Sequence, residues 1–218
     1  MIRRLCVFGA YSDHDLYQRN RVLIEQLSQL SESVQVIRPD HARERHSFAV
    51  NVPLPRRILS LVGDLWWLWR RRSRLDACDV VFIPYPPVAV LLMLRLARWR
   101  RRTGARGITL VVDAFLELHD TVVEDRGWLR AGSLPDRMLL ALQNYTVGFA
   151  DLVFIDTAAQ AKVLGERLRG RPPRVVPVPV GIDEGQWSAL PQPPADGPIT
   201  VLFWGTFIPL HGIQTIVE

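Results

Sequence analysis

The sequence predicts an α/β protein built on a Rossmann-like, doubly wound parallel sheet. Short runs of β-branched and aromatic residues alternate along the chain with stretches of helical period. Most of these runs are apolar throughout, which is typical of strands that helices cover on both faces. The strand and helix patterns repeat from one end of the chain to the other, as βαβ units require.

Seven runs are predicted to be strands. They are rich in valine, isoleucine and leucine and are bounded by glycine, proline or polar residues. In chain order they cover residues 5–10, 34–37, 80–84, 108–113, 152–155, 175–178 and 200–204.

Helices are predicted between the strands. Ser133, with Asp136 three residues later, resembles a capping box, and Thr157 is a suitable N-cap for the helix after the fifth strand. Two sets of residues each fall on a single helical stripe and predict the buried faces of two helices. These sets are Leu16, Leu23, Leu27 and Leu30, and Met138, Leu142, Tyr145 and Phe149.

A proline-rich stretch divides the chain. Residues 191–198, "PQPPADGP", have the composition of a linker. Residues 1–190 are therefore predicted to form one complete Rossmann-like domain. Residues 199–218 are predicted to form a strand, a glycine-bearing loop and the start of a helix, which is how a nucleotide-binding domain begins. About 20 residues cannot bury a core of their own. The second Rossmann-like domain is therefore expected to be truncated.

Composition and charge narrow the class of protein. The net charge is +5, and Lys162 is the only lysine among the 27 basic residues. An arginine-rich surface suits phosphate or anionic lipid, although a GC-rich genome would also favour arginine. Cys6 and Cys78 lie in apolar contexts, which favours buried reduced thiols, and no metal site is predicted. The apolar run at the N-terminus is too short for a signal peptide, and no run approaches the roughly 20 apolar residues of a membrane span. The sequence predicts a cytoplasmic protein.

The loop after the first strand carries candidate ligand-binding residues. Gly9 permits close backbone approach, and Arg19, Asn20 and Arg21 lie near the start of the next helix, where arginines suit a phosphate oxygen. Only one glycine of a dinucleotide fingerprint is present. A tight turn followed by a solvated helix face is the alternative interpretation.

The loop after the fourth strand carries the candidate catalytic residues. Asp113 ends the strand, and Glu117, His119 and Asp120 follow in the sequence "AFLELHDT". Ligands of a parallel sheet bind outside the carboxyl ends of its strands. There a carboxylate or a histidine can orient a hydroxyl or accept its proton. The alternatives are a turn-capping role for Asp113 and a surface position for His119.

Five stretches together resemble a bacterial branch of the family 4 glycosyltransferases. They occur in order over nearly the whole chain, outside a variable basic segment at residues 43–74. The stretches are "FGAYSDHDLYQRNRVLIEQL", "VVDAFLELHDTVVEDRG", "ADLVFIDTAAQAKVL", "VPVGIDEGQW" and "VLFWGTFIPLHGIQTIVE".

The resemblance implies the GT-B architecture, in which an acceptor-side domain and a nucleotide-sugar domain face each other across a cleft. Residues 1–190 match the acceptor side. On this acceptor side Asp113 and His119 are predicted to be catalytic residues, and Gly9, Arg19, Asn20, Arg21, Glu117 and Asp120 are predicted to bind the acceptor. The resemblance also implies that the configuration at the anomeric carbon is retained and that no metal is obligatory. No cofactor is implied, because the nucleotide sugar is a substrate. The 218-residue chain alone is then expected to transfer no sugar.

The C-terminal stretch is implied to bind the donor. Gly205 and Gly212 bracket the loop "TFIPLH", whose following helix could receive a diphosphate on its backbone amides. Many relatives place an arginine after the first glycine and a lysine before the second. This chain has Thr206 and His211 there, which weakens the expected diphosphate contact.

Two stretches suggest an amphipathic surface. Residues 56–74 and 91–102 combine tryptophans and apolar residues with clusters of arginine, a composition that fits the headgroup layer of an anionic membrane. Alternatively, their apolar sides pack on the sheet and only the arginines are solvated. No nucleic-acid-binding motif accompanies the charge.

Two functions follow from the sequence. The first is a glycosyltransferase acting from a nucleotide-sugar donor on a glycan or lipid-linked acceptor, in the cytoplasm or peripherally at the inner membrane. The second is a non-catalytic basic α/β module that binds an anionic membrane or a phosphorylated ligand.

Overall fold

A computed structural model describes residues 1–13, 18–42, 53–99, 107–168, 170, 172–181, 202–203 and 212–217. Its centre is a sheet of six parallel strands in the order β2-β1-β3-β4-β5-β6. The predicted Rossmann-like parallel sheet is confirmed. The strands are β1 Ile2–Phe8, β2 Ser31–Ile37, β3 Val80–Ile83, β4 Thr109–Phe115, β5 Leu152–Ile155 and β6 Arg174–Pro177.

Helices connect the strands. They are α1 Gln18–Gln29, α2 Leu54–Arg71, α3 Val88–Leu96, α4 Leu134–Val147 and α5 Ala158–Arg167, with a short α6 Ile213–Val217 near the C-terminus. Shorter helical segments cover Asp40–Ala42, Arg72–Ala77, Leu118–Asp120 and Thr121–Asp125, the last of these as a π-helical turn.

Six of the seven predicted strands are present, five of them with shifted ends and β5 with the predicted bounds. β1 and β2 begin three residues earlier than predicted, because Ile2 pairs with Ser31 and its N–H donates to the Leu30 carbonyl at 3.0 Å. Backbone pairing thus outweighs the polar side chains in these positions. The seventh run, 200–204, lies outside the described residues apart from 202–203, which have no regular secondary structure.

The sheet separates two apolar cores, because successive side chains of a strand point to opposite faces. On one face Leu5 and Val7 pack with Leu23 and Leu27 of α1. On the other face the apolar residues of the central strands pack against α2, α3, α4 and α5. Both cysteines are buried and reduced, as predicted.

The two predicted N-caps are confirmed, whereas one predicted helix face is wrong. Ser133 Oγ and Thr157 Oγ1 accept the N–H groups of the residues three positions later, at 3.4 and 3.2 Å. On α4, however, Met138 is 63% exposed and Tyr145 is 46% exposed. The helix turns a different face inward because buried Gln143 takes part in a hydrogen-bonded cluster.

The strand order fixes where a ligand can bind. The chain adds β2 on one side of β1 and then crosses to the other side to form β3. The carboxyl ends of β1 and β3 therefore border the topological switch point, which is the usual ligand-binding crevice of such sheets.

Candidate active site

Asn20 joins the two loops at the switch point. Its Nδ2 donates to the carbonyls of Ser12 and Tyr85, at 2.8 and 2.9 Å, and its Oδ1 accepts the Tyr85 N–H at 3.2 Å. The side chain is buried, so these bonds form in an environment where unsatisfied polar groups are costly. Asn20 therefore fixes the spacing of the loops that follow β1 and β3.

Arg19, the residue before Asn20 on α1, forms a buried ion pair with Asp113. Arg19 Nε lies 2.9 Å from Oδ2 of Asp113, and Arg19 Nη2 lies 2.8 Å from Oδ1, which is a bidentate arrangement. Arg19 Nη1 also donates to the Val178 carbonyl at 2.6 Å. The side chains are 6% and 0% exposed. The pair ties α1 to the carboxyl ends of β4 and β6.

A bulge in β4 accompanies this pair. The pairing of β4 with β5 shifts register between Asp113 and Phe115, and Phe115 has a φ of 34°. A positive φ is unfavourable for a bulky side chain, and such residues cluster at functional sites. The Phe115 ring lies under the Arg19 guanidinium, 4.9 Å from its Cζ. Burial raises the pKa of Asp113 above its usual value, against the opposing effect of Arg19.

A second polar cluster lies where β4 leads into the following loop. One oxygen of Glu117, Oε2, accepts hydrogen bonds from Gln143 Nε2 at 2.7 Å and from Arg167 Nη1 at 2.6 Å. The other oxygen, Oε1, is buried and accepts no hydrogen bond in the part of the chain that the structure describes. Burial raises the pKa of Glu117, and the nearby Asp120 carboxylate adds to this effect against Arg167.

His119 belongs to the same cluster. Its Nδ1 lies 2.8 Å from Asp120, its Nε2 lies 2.5 Å from Asp136, and its backbone N–H donates to Gln143 at 2.8 Å. Burial disfavours the charged imidazolium, but the two carboxylates outweigh burial and raise the pKa of His119. Hydrogen bonds lower the pKa of Asp136, and the bond from the Gly132 N–H has a larger effect than the one with His119. Both ring nitrogens are therefore engaged within the protein.

An apolar cavity of about 300 Å³ adjoins the second cluster. It lies at the carboxyl edge of the sheet, between the loops after β1, β3 and β4 and the helices α2, α3, α4 and α5. Among the described residues that line it, only Glu117 and Gln143 have amide or carboxylate side chains.

The structure brings most of the predicted site residues to one edge of the sheet. Asp113 pairs with Arg19, while Glu117, His119 and Asp120 share a cluster. The remaining acceptor-side residues are less central to these clusters. Gly9 donates its N–H to the Ile37 carbonyl at 3.2 Å, and Arg21 is half-buried on α1.

Of the four predicted donor-side residues, only Gly212 belongs to the described part of the chain. Gly205, Thr206 and His211 lie outside the described residues, as does the linker at 191–198. Gly212 has a φ of 56° and precedes α6.

Sequence reasoning missed three members of the second cluster as site residues, namely Asp136, Gln143 and Arg167. Gln143 carries a usable signal, because it is a polar residue within the apolar helix "MLLALQNYTV". Asp136 was recognised only as part of the capping box. Nothing near Arg167 in the sequence connects it to Glu117, which lies 50 residues away.

The two arginine- and tryptophan-rich stretches differ in exposure. On α2, Ile58, Val62 and Trp66 are each more than half exposed, and Trp66 stacks on Trp69 with ring centroids 5.1 Å apart. In residues 91–99, Trp99 is buried and its Nε1 donates to Asp76 at 3.0 Å. Leu91 and Leu94 are buried as well, whereas Leu96 is 68% exposed. A membrane-facing role for this second stretch stays a prediction. Residues 100–102 lie outside the described part.

The described ranges contain neither a metal site nor a membrane span. No group of three or more histidine, cysteine, aspartate or glutamate residues in those ranges has the arrangement of a metal site. None of the helices formed by those ranges combines the length and apolarity needed to cross a bilayer.

Comparisons with solved structures give weak similarities. A pyridoxal kinase from Entamoeba histolytica is 12% identical with a TM-score of 0.38, and the match covers 76% of this chain and 55% of that one. A conserved protein from Enterococcus faecalis V583 is 14% identical with a TM-score of 0.28, covering 77% of this chain and 98% of that one. This chain thus spans little more than half of the kinase. Similarities of this strength do not bear on function.

Comparisons with sequences are more informative. No curated protein matches the chain. The family model described as "Glycosyl transferase 4-like domain" matches residues 18–181, which is well over half of the 218 residues. The matched range contains both polar clusters and all the residues that line the cavity except Ala10. The chain therefore belongs to the glycosyl transferase 4-like domain family.

Proposed function

We propose that this chain forms the acceptor side of a retaining glycosyltransferase that moves a sugar from a nucleotide-sugar donor to a glycan or lipid-linked acceptor. The observation that carries the proposal is the open carboxylate oxygen of Glu117, at the carboxyl edge of a glycosyl transferase 4-like domain. A buried carboxylate oxygen without a donor is suited to receive the hydroxyl hydrogen of an acceptor.

In this proposal the two polar clusters have different tasks. Direct catalytic roles for Asp113 and His119 remain predictions. Their contacts support positioning roles, because the Asp113 carboxylate is held by Arg19 and both ring nitrogens of His119 face carboxylates. Asp113 would hold Arg19, and His119 would hold the loop that presents Glu117. Fixing an acceptor hydroxyl in this way lowers the entropic part of the barrier.

The donor is proposed to bind outside this edge. Gly205, Thr206, His211 and Gly212 are the candidates for contacts with its diphosphate. We propose that the nucleotide sugar is a substrate, that no resident cofactor takes part, and that no metal is obligatory. Stabilisation of the departing diphosphate would then come from backbone amides and polar side chains.

The test is a transfer assay on the complete product of the gene. Radiolabelled nucleotide sugars are incubated with glycan and lipid-linked acceptors, and label in the acceptor is measured. We expect acceptor-dependent transfer with at least one donor, and retention of the anomeric configuration in the product. Absence of transfer across the whole panel would contradict the proposal.

The exposed apolar face of α2 favours a second candidate function, binding to an anionic membrane. This face combines Ile58, Val62, Trp66 and Trp69 with arginines at both ends of the helix. The same surface would place a glycosyltransferase peripherally at the inner membrane. Membrane binding without transfer would favour the non-catalytic basic module instead.

Vesicle sedimentation tests this surface. We expect binding to anionic vesicles that weakens with salt, because screening shortens to about 8 Å at physiological ionic strength. Replacing Trp66 and Trp69 together by alanine should weaken binding about tenfold, equivalent to roughly 1.4 kcal/mol. Trp128→Ala is the matched control, because Trp128 is 68% exposed but lies outside α2. Equal binding by the double variant and the control would contradict membrane docking through α2.

A further inference from the structure

We propose that the apolar cavity beside Glu117 binds the hydrocarbon part of an amphiphilic alcohol, with the hydroxyl of that alcohol donating a hydrogen bond to Glu117 Oε1. This inference rests on the proposed function and narrows its acceptor to a lipid alcohol or a lipid-linked hydroxyl.

The residues that line the cavity are mostly apolar. Its walls include Leu61, Val90, Leu92, Leu142 and Leu164, with prolines from the loop after β3. The ring of a sugar presents several hydroxyl groups, and each of them would need a hydrogen-bond partner when buried. Such a wall supplies few partners. The lining therefore favours hydrocarbon over a carbohydrate ring.

The size of the cavity fits a short hydrocarbon segment. A volume of about 300 Å³ lies at the small end of the range for ligand pockets. It has room for about ten groups of the size of a water molecule, at roughly 30 Å³ each. A segment of that length is the end of an alkyl or prenyl chain, not a whole lipid.

The unsatisfied oxygen of Glu117 favours a ligand with a hydrogen-bond donor. The side chain is 2% exposed, and both described donors, Gln143 and Arg167, bind Oε2. Oε1 has no donor among the described residues, although burial makes an unsatisfied carboxylate oxygen costly. A ligand hydroxyl would satisfy this oxygen while its chain fills the adjoining cavity.

Leu61 connects the cavity with the surface of the protein. It lines the cavity and is 40% exposed on α2. The exposed Ile58 and Val62 lie three positions before it and one after it on the same helix. A chain that leaves the cavity beside Leu61 thus meets further apolar surface, which suits a lipid whose remaining length stays in a membrane.

The test uses the 218-residue chain and two isosteric probes, 1-octanol and methyl heptyl ether. Binding is followed by NMR titration of the leucine methyl groups of the cavity. We expect saturable binding of 1-octanol, and about tenfold weaker binding of the ether, because the ether cannot donate to Glu117. Binding of both probes with equal affinity, or no saturable binding of 1-octanol, would overturn the inference.

Variants locate the binding site. Ala89 lines the cavity and is only partly buried, so Ala89→Phe should fill the space and abolish binding of both probes. Glu117→Gln should reduce the preference for the alcohol over the ether. Glu124→Gln removes an exposed carboxylate outside the cavity and should bind as the wild type does. Wild-type affinity in Ala89→Phe would place the probe elsewhere and overturn the inference.

The transfer assay separates this inference from the proposed function. Transfer confined to water-soluble glycans, with no inhibition by 1-octanol, would overturn the lipid-alcohol inference and leave the proposed function intact. No transfer to any acceptor, together with 1-octanol bound in the cavity, would contradict the proposed function and remove the acceptor role of the cavity.

Discussion

Two ionic clusters lie at the same edge of the sheet and differ in how completely the protein satisfies them. In the pair of Arg19 and Asp113, both carboxylate oxygens accept hydrogen bonds from the guanidinium, and the aspartate has no exposed surface. In the cluster around Glu117, one oxygen accepts hydrogen bonds from Gln143 and Arg167, while the other has no described donor, and the residue lines a cavity.

The difference separates residues that hold a site together from residues that meet a ligand. Buried polar groups in proteins are nearly always hydrogen-bonded. A saturated pair therefore has its strongest effect on the geometry and stability of the fold. An unsatisfied oxygen beside a cavity keeps its hydrogen-bonding capacity for a molecule that binds there.

The largest effect is expected when the saturated pair is broken. Asp113→Asn leaves the Arg19 charge buried with no carboxylate in bidentate contact, and loss of one partner of a buried pair costs about 3 to 5 kcal/mol. Urea unfolding should show this loss in the free energy of unfolding.

The matched control is the surface pair of Arg4 and Asp79, whose side chains are 59% and 44% exposed. Asp79→Asn should change stability by no more than about 1 kcal/mol. If Asp113→Asn were as stable as Asp79→Asn, the distinction between a saturated and an open cluster would fail.

The open cluster should respond to substitution in the opposite way. Glu117→Gln keeps the size of the side chain, and its amide oxygen can still accept hydrogen bonds from Gln143 and Arg167. Arg167 also keeps Asp120 as an ionic partner, so the stability should change by only about 1 kcal/mol. Turnover of the complete gene product should fall about 10²-fold, because the acceptor hydroxyl loses its charged partner. A large loss of stability with unchanged kcat would show that Glu117 is structural.

The sequence allowed the fold to be predicted because the fold depends on short-range patterns. Apolar runs of strand length identify β3, β4 and β5, and the hydroxyl groups of Ser133 and Thr157 cap the helices that they precede. Each of these signals lies within a few residues of the structure it specifies. The edge strand β2 was only partly found, since most of its side chains are exposed and its N-terminal half is polar.

The site was predicted only in part, because its contacts are distant in sequence. The position of Asp113 at the end of a strand was readable, whereas its partner Arg19 lies 94 residues away. The helical spacing of apolar residues also predicted the wrong face of α4, because Gln143 is buried by its hydrogen bonds and not by its hydrophobicity. The periodicity of apolar residues does not reveal a polar residue that is buried because it is hydrogen-bonded.

The smallest expected effect is the pH dependence that His119 contributes in the open cluster. Asp120 and Asp136 face the His119 ring, and Arg167 and Glu117 extend the network. The pKa of His119 is raised in the folded protein. At a pH below the unfolded value of about 6.5, both states are protonated and the stabilising contribution is complete. As the pH rises through the folded pKa, this contribution is lost.

Wild-type stability should therefore decline above about pH 6.5. In urea unfolding at successive pH values, His119→Gln should reduce this decline. Asp79→Asn should retain it, and an unchanged slope in His119→Gln would show that another group is responsible.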